Sequence, residues 1–494
     1  MPRRSRAAWA AVALLAAAGA GPAAAADAAS LEVGMADDRL MFAGPASAHE
    51  TARTWAHMGV DSVRLHVRWV AVAPSPGARS KPRGFDDADA DDPRYRWAYI
   101  DHAVAALVDA GLEPVLAITG SGPLWATERP ASGNPRALPS ARAFGRFARA
   151  VAQRYGSHAD RYVVWNEPNQ AAWLQPQLTC SAARGCQPIA PHVYRDLLRA
   201  AYPAIKRADP RAEVLGGALA PRGNPPRRTN SPLRPLAFLR AFACVDKRYR
   251  PIRTGRCKGF LPARMDGVAH HPHPVRASPS AHSAHPDEVA LGDLGRLETV
   301  LDRLQDRRRI AISGGRRAPI HLTEFGYQTD PPDPYSGITL RRQAHWTSEA
   351  TYLAAKDPRV KSLVQYAFQD EPVDRKAGAG RRAFAGWQSG LLDVRGREKP
   401  AYFVFSSPFV AHRPAGRVQT ELWGQARQGA QHEVLVERRL PGREGWELFT
   451  RVGTDPRGTF SVHRRITATA DFRYSYPVDG GTAVSPVVRV RAAG

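Results

Sequence analysis

Two apolar stretches each end on a glutamate: Tyr162-Val163-Val164-Trp165-Asn166-Glu167-Pro168-Asn169 and Ile320-His321-Leu322-Thr323-Glu324-Phe325-Gly326. Each reads as a strand that delivers one carboxylate to its C-terminal end. Two carboxylates across a glycosidic bond are what sugar hydrolysis requires: one protonates the leaving oxygen, the other attacks or activates water. A lone glutamate at a strand end is most often solvated or ion-paired. The pair, with its polar flanks, points to chemistry. A third string, Ala269-His270-His271-Pro272-His273, also closes a strand. Metal ligation by these three histidines is disfavoured, because neighbouring strand residues face opposite sides and His270 and His271 cannot easily share an ion. No metal and no other cofactor is expected. The loop with Asp86, Asp87, Asp89, Asp91 and Asp92 lacks the Gly and distal Glu of an EF-hand. It reads as a solvated loop balancing Arg83, Arg94 and Arg96. Asp370 and Glu371, at the end of a later strand, are the competing carboxylates.

The elements that must hold these groups alternate in type. Strands are predicted near 31–35, 62–69, 113–118, 161–165, 212–218, 265–269, 319–323 and 360–366. Amphipathic helices are predicted between them, with Ser47 and Ser140 as N-caps and Gly59 and Gly111 as stops. Eight strand–helix units running one way predict an α/β fold, a (β/α)8 TIM barrel. The span is longer than the roughly 250 residues typical of that fold, and the excess sits in loops after strands 2, 4, 5 and 8. After Pro414 short strands follow one another without helices, separated by turns such as Pro441-Gly442 and Gly480-Gly481. They predict a small all-β, Ig-like sandwich. The expected organisation is a signal peptide (1–26), a barrel catalytic domain (27–410) and a β-sandwich module (415–494).

On these motifs the chain resembles the glycoside hydrolases of clan A, cellulase-like and nearest to families 5 and 39. Trp165-Asn166-Glu167-Pro168-Asn169 is similar to the clan's acid/base motif, and Thr323-Glu324-Phe325-Gly326 to its nucleophile motif. The likeness extends to Tyr95 and Trp97 through Asp101, to Pro123-Leu124-Trp125-Ala126, and to Gly390-Leu391-Leu392 with Lys399-Pro400-Ala401. It implies a retaining glycosidase with Glu167 as general acid/base and Glu324 as nucleophile. Asn166 would bind the sugar 2-hydroxyl, and Arg64 would keep the nucleophile ionised. His271 would take the place of the clan's strand-6 histidine. His273 stands where the clan often has a tyrosine touching the nucleophile. Trp125, Trp173, Trp387 and Tyr327 are candidates for stacking on sugar, although core packing is the commoner fate of any one aromatic. Tyr366, Phe368 and Gln369 occupy the region where the clan often carries a tryptophan.

The 494-residue chain has 70 basic and 46 acidic residues, a net charge of +24. That balance fits attraction to a polyanion, but it also fits a codon bias enriching Arg, Ala, Pro and Gly together. No nucleic-acid signature accompanies it. Basic Arg3, Arg4 and Arg6, an apolar run from Ala7 to Ala20 and small residues at Ala24-Ala25-Ala26 read as a secretory signal. Beyond them no apolar run approaches the roughly 20 residues of a membrane span. A secreted monomer is expected, in a compartment that permits disulfides. Four cysteines allow three pairings, and the local one, Cys180–Cys186 with Cys244–Cys257, is expected to rigidify loops on the active-site face. The reading is a secreted hydrolase that degrades a β-linked polysaccharide or glycoside by double displacement, with carbohydrate as its partner and neither nucleic acid nor membrane. Two other classes stand beside it. A non-catalytic carbohydrate-binding or cell-surface protein on the same barrel is opposed by the presence of both glutamates and Asn166. A polyanion-binding protein rests on net charge alone.

Overall fold

The computed structural model describes residues 31–183, 185–428 and 432–493. The predicted signal peptide lies outside them. Eight parallel strands close into a barrel in sequence order: β1 (Glu32–Ala36), β2 (Ser62–Arg68), β3 (Glu113–Thr119), β4 (Arg161–Val164), β5 (Glu213–Leu219), β6 (Gly267–His270), β7 (Ile320–Phe325) and β8 (Val360–Tyr366), with β8 pairing back onto β1. The strands are almost wholly buried, as expected where both faces of a parallel sheet are covered. The main helices are α1 (Pro45–His57), α2 (Ala98–Asp109), α3 (Ala141–Tyr155), α4 (Ala190–Ala208), α5 (Pro235–Phe242), α6 (Leu294–Asp306), α7 (Leu340–Lys356) and α8 (Pro400–Ser406). Ser140 caps α3 by accepting from the Ala143 N–H. Ser47 does not cap α1. That helix starts earlier, at Pro45, which suits a first turn because its fixed φ is helical and no N–H is needed there. The Ser47 hydroxyl donates to the Leu40 carbonyl instead.

Small side chains fill the barrel interior: Val115, Ala117, Val163, Leu215, Ala218 and Ala269 form a separate inner cluster. Its N-terminal end is plugged by a network of charged side chains. Arg161 donates to Glu32 at 2.7 and 3.0 Å and to Glu213 at 2.7 Å, and His321 lies 3.3 Å from Glu213. The polar groups that carry chemistry lie at the other end of the same interior, where such barrels place their sites.

Both disulfides form with the local pairing expected. Cys180–Cys186 ties a hairpin of Leu178–Ser181 and Gly185–Pro188 in the loop after β4. Cys244–Cys257 follows α5 and precedes β6. It closes a helix-to-strand connection, so the expectation that both bridges hold strand-to-helix loops of the active-site face is corrected for this pair.

The C-terminal region is all-β. Strands β9 (Phe409–His412), β10 (Gln419–Gln425) and β13 (Thr459–Arg465) make one sheet. Strands β11 (Glu433–Arg439), β12 (Glu447–Gly453), β14 (Ala470–Val478), β15 (Gly481–Val484) and β16 (Val488–Val490) make the other. Leu422 and Phe460 of the first share one apolar cluster with Val434, Val436, Phe472 and Tyr474 of the second.

Candidate active site

Glu324 lies within β7 at a register irregularity between Leu322 and Phe325. A bulge of this kind re-aims a side chain, and here the carboxylate enters the barrel mouth with 7 % exposure. Gly326 follows because a Cβ there would lie 2.1 Å from the Tyr366 carbonyl oxygen. Glu167 stands three residues beyond the end of β4, where Trp165 and Glu167 both have positive φ, 69° and 37°. That backbone drops the Trp165 ring against Gly120, where a Cβ would meet it at 2.2 Å, and turns Glu167 inward. Asn169 locks the turn by bonding the backbone of Ala220 and Leu233.

The groups converge. Arg64 on β2 is buried and donates to Glu324 Oε1 at 2.7 Å and to Asn166 Oδ1 at 2.6 Å. His271 Nδ1 lies 3.1 Å from Glu167 Oε1 and 3.6 Å from Glu324 Oε2. One oxygen of each glutamate and this nitrogen all fall within 4.8 Å of one another. Such a triangle has the dimensions of a cation site. The Arg64 guanidinium already supplies a fixed positive charge to it.

Burial pushes the Glu167 carboxyl up, the Glu324 charge pushes it further, and it reaches about 7. Burial would also raise Glu324, but positive charge beside it, from His271 when that ring is protonated and from the fixed Arg64 guanidinium at every pH, outweighs burial and holds this carboxyl well below the usual range. Burial pushes His271 down to about 3, so near neutrality the imidazole is uncharged and Arg64 is the permanent counter-charge. Two adjacent carboxyls are thereby driven apart, one protonated and one ionised near neutral pH.

His273 Nε2 is 3.7 Å from Glu324 Oε2, too far for a hydrogen bond, and its ring packs 4.8 Å from Trp387. Trp387 also meets Tyr366 edge-on at 5.4 Å. Trp173 stacks on His66 at 5.7 Å, with the planes 16° apart. Trp125 packs against Trp69 and Phe85, its indole N–H on the Pro74 carbonyl. Tyr327 is 1 % exposed, wedged between Phe325 and Trp346 with its hydroxyl on the Ala277 carbonyl. It offers no ring face to a ligand, and the expectation that it stacks on sugar is corrected. His270 points away from His271, to the Val289 carbonyl. Asp370 is spent on a buried ion pair with Lys399, and Glu371 accepts from the Trp387 N–H. Asp87 is held by Arg146 and Lys81.

His66 was not among the sequence candidates. Its Nδ1 bonds Asp38 Oδ2 at 2.8 Å, and its buried Nε2 has no partner among the described residues. The signal was present: His66 lies two residues after Arg64 on one strand, hence on the same face.

No family model matches the chain, and no curated protein matches it. Among solved structures, a family 39 glycoside hydrolase from Bacteroides cellulosilyticus WH2 is 14 % identical over 89 % of this chain and 82 % of its own, with a TM-score of 0.49. A GH5_18 structure from Bifidobacterium longum subsp. longum, in complex with Manβ1-4GlcNAc, is 12 % identical over 76 % of this chain and 77 % of its own, at 0.48. An endo-β-1,4-mannanase from Thermotoga petrophila is 9 % identical over 94 % of this chain and 98 % of its own, at 0.44. At these identities the likeness is one of fold. These likenesses carry no argument about this chain, and its chemistry has to be read from its own residues.

Proposed function

We propose that the chain is a retaining glycoside hydrolase, with Glu324 as nucleophile and Glu167 as general acid/base. The observation that carries this reading is the pair of carboxylates with oxygens within 4.8 Å, one ionised by Arg64 and one held protonated. Inverting enzymes keep their carboxyls roughly 6.5–9.5 Å apart to admit a water, whereas retaining enzymes hold them at roughly 5–5.5 Å. In the first step Glu324 attacks the anomeric carbon while Glu167 gives its proton to the leaving oxygen. In the second, Glu167, now ionised, takes a proton from water, which releases the sugar from Glu324. Asn166, fixed by Arg64, faces the sugar 2-hydroxyl. His66, Trp173 and Trp387 line the sugar site. The clan resemblance favours a β-linked glycan or glycoside, and the disulfides are compatible with export.

The test is kinetic. Glu324→Gln should abolish turnover of a panel of aryl glycosides and polysaccharides. Glu167→Ala should spare substrates with activated leaving groups, and azide should restore its rate by giving a glycosyl azide with retained configuration. Full activity of either variant on the natural glycan sinks the assignment.

A further inference from the structure

A cleft of about 1180 Å³ outside the catalytic centre lies between the Cys180–Cys186 hairpin and the Cys244–Cys257 connection. Ligand sites commonly measure about 300–1000 Å³, so this one has room for more than a small molecule. Its lining carries Arg240, Lys247 and Arg256 against Asp246 and Asp287. The segment from Val245 to Lys258 that forms one side adds Arg248, Arg250, Arg253 and Lys258 outside the lining, and all six cations of that segment are exposed. Asp246 is taken by Arg250 at 2.7 Å, and the nearby Asp287 by Arg240 at 2.6 Å. Among the described residues no carboxylate comes within 4 Å of Lys247, Arg248, Arg253, Arg256 or Lys258.

The layer behind this wall is cationic too. Arg195 on α4 is 5 % exposed, and its hydrogen bonds go to neutral groups: the Phe242 and Arg256 carbonyls, His192 Nδ1 and Cys244 Sγ. Its nearest carboxylate, Asp196, is 4.0 Å away and half exposed. Arg309 also bonds only carbonyls, those of Ala243 and Cys244. The two guanidiniums share one ring, Phe260, at 5.3 and 3.5 Å from its centre. Burial and then mutual repulsion push both downward, Arg309 against Arg253 and Arg195 against Arg199, Arg309 and Arg256. Like charges held together by a disulfide and a packed ring, with the half-exposed Asp196 as the one carboxylate within 4 Å of the two guanidiniums among the described residues, leave attraction for an anion unspent.

We infer that this cleft binds an anionic polysaccharide, whose carboxylate or sulfate groups neutralise Lys247, Arg256 and the cations behind them. Preference for a glycan over nucleic acid rests on the glycosidase reading. It is supported by the form of the site: no Phe, Tyr or Trp is among the described residues that line the disulfide-framed cleft, and the nearby rings of Tyr249 and Phe260 are already covered by arginines, which leaves no stacking platform for bases. Occupancy would hold the enzyme on an acidic glycan while the barrel mouth works elsewhere on the polymer, raising the effective substrate concentration.

The test uses the full chain and the Lys247→Ser/Arg256→Ser double variant, with Arg142→Ser/Arg341→Ser as a control that removes two exposed charges elsewhere. Dissociation constants are measured for polygalacturonate, dextran sulfate, a neutral glucan and duplex DNA at one fixed ionic strength. The expected result is binding of one or both acidic polysaccharides, weakened about tenfold or more in the cleft variant and less than about twofold in the control. Turnover of a small neutral aryl glycoside should be unchanged by the cleft variant. Equal loss in the control means diffuse charge and overturns the site. So does unchanged affinity in the cleft variant, and so does tighter, Lys247- and Arg256-dependent binding of DNA. If the wild type turns over no glycoside at all, the catalytic reading fails, while the binding comparison still decides the cleft.

Discussion

At the scale of single residues, protonation is the quantity to measure. In the proposed mechanism Glu167 has to be protonated in the first step, and its carboxyl sits at about 7. The pH profile of kcat/KM should therefore fall on its basic limb near 7, while the acidic limb, set by Glu324, lies far lower. The same shift affects stability. Between the ordinary glutamate value near 4.5 and about 7 the folded state binds the extra proton, so stability should decline as pH rises through that window. Glu167→Gln should remove the decline, a gain on the order of 1–3 kcal/mol at pH 8, seen as a pH-independent melting midpoint where the wild type slopes. Arg64→Met should cut kcat by 100-fold or more and move the acidic limb upward, because Glu324 loses its fixed counter-charge. An unmoved limb would mean that another group ionises the nucleophile.

At the scale of elements, the loop carrying Trp387 has its own anchor. Lys399, at the mouth of α8, is buried and donates to Asp370 Oδ1 at 2.7 Å and Thr329 Oγ1 at 2.9 Å, and Asp370 also accepts from the Gly390 N–H. Removing one partner strands the other as a buried charge, so Lys399→Met should destabilise by roughly 3–5 kcal/mol. Lys399→Met/Asp370→Leu should recover much of that loss. Chemical denaturation of the three proteins measures it. This anchor also shows where the sequence was legible and where it was not. The eight strands were readable because a buried parallel strand is a continuous apolar run, and each observed strand lies within two residues of its predicted bounds. The glutamates were readable because their flanking residues are unusual. Tyr327 was misread because burial depends on what α7 and β7 place around it, Trp346 and Phe325, which no local pattern records. His66 was missed because its role comes from Asp38 and Trp173, contributed by two other loops.

At the scale of the whole molecule, the question is what the C-terminal sheets do for the barrel. Their contacts are with α7, α8 and the start of β2, away from the Glu167–Glu324 mouth. Arg427 is buried and bonds the Phe405 carbonyl, Thr351 Oγ1 and Gln425. Tyr352 donates to Glu421 at 2.9 Å, Lys356 pairs with the same carboxylate, and Arg457 reaches Asp61 at 3.2 Å. Trp423 packs on the Tyr352 ring. A tethered module that only bound glycan would need none of this; a buttress would need all of it. A chain ending after Ser407 would expose Tyr352 and Thr351 and lose the stabilising β-sheet face, so it should melt many degrees below the full protein or aggregate. Arg427→Met, which keeps the packing but removes the bonds, should lower the melting midpoint by several degrees while leaving kcat/KM on a small glycoside within about twofold. If the truncated barrel instead melts where the full chain does and only its action on insoluble glycan falls, the sheets serve substrate binding, and their ion pairs to α7 add nothing measurable.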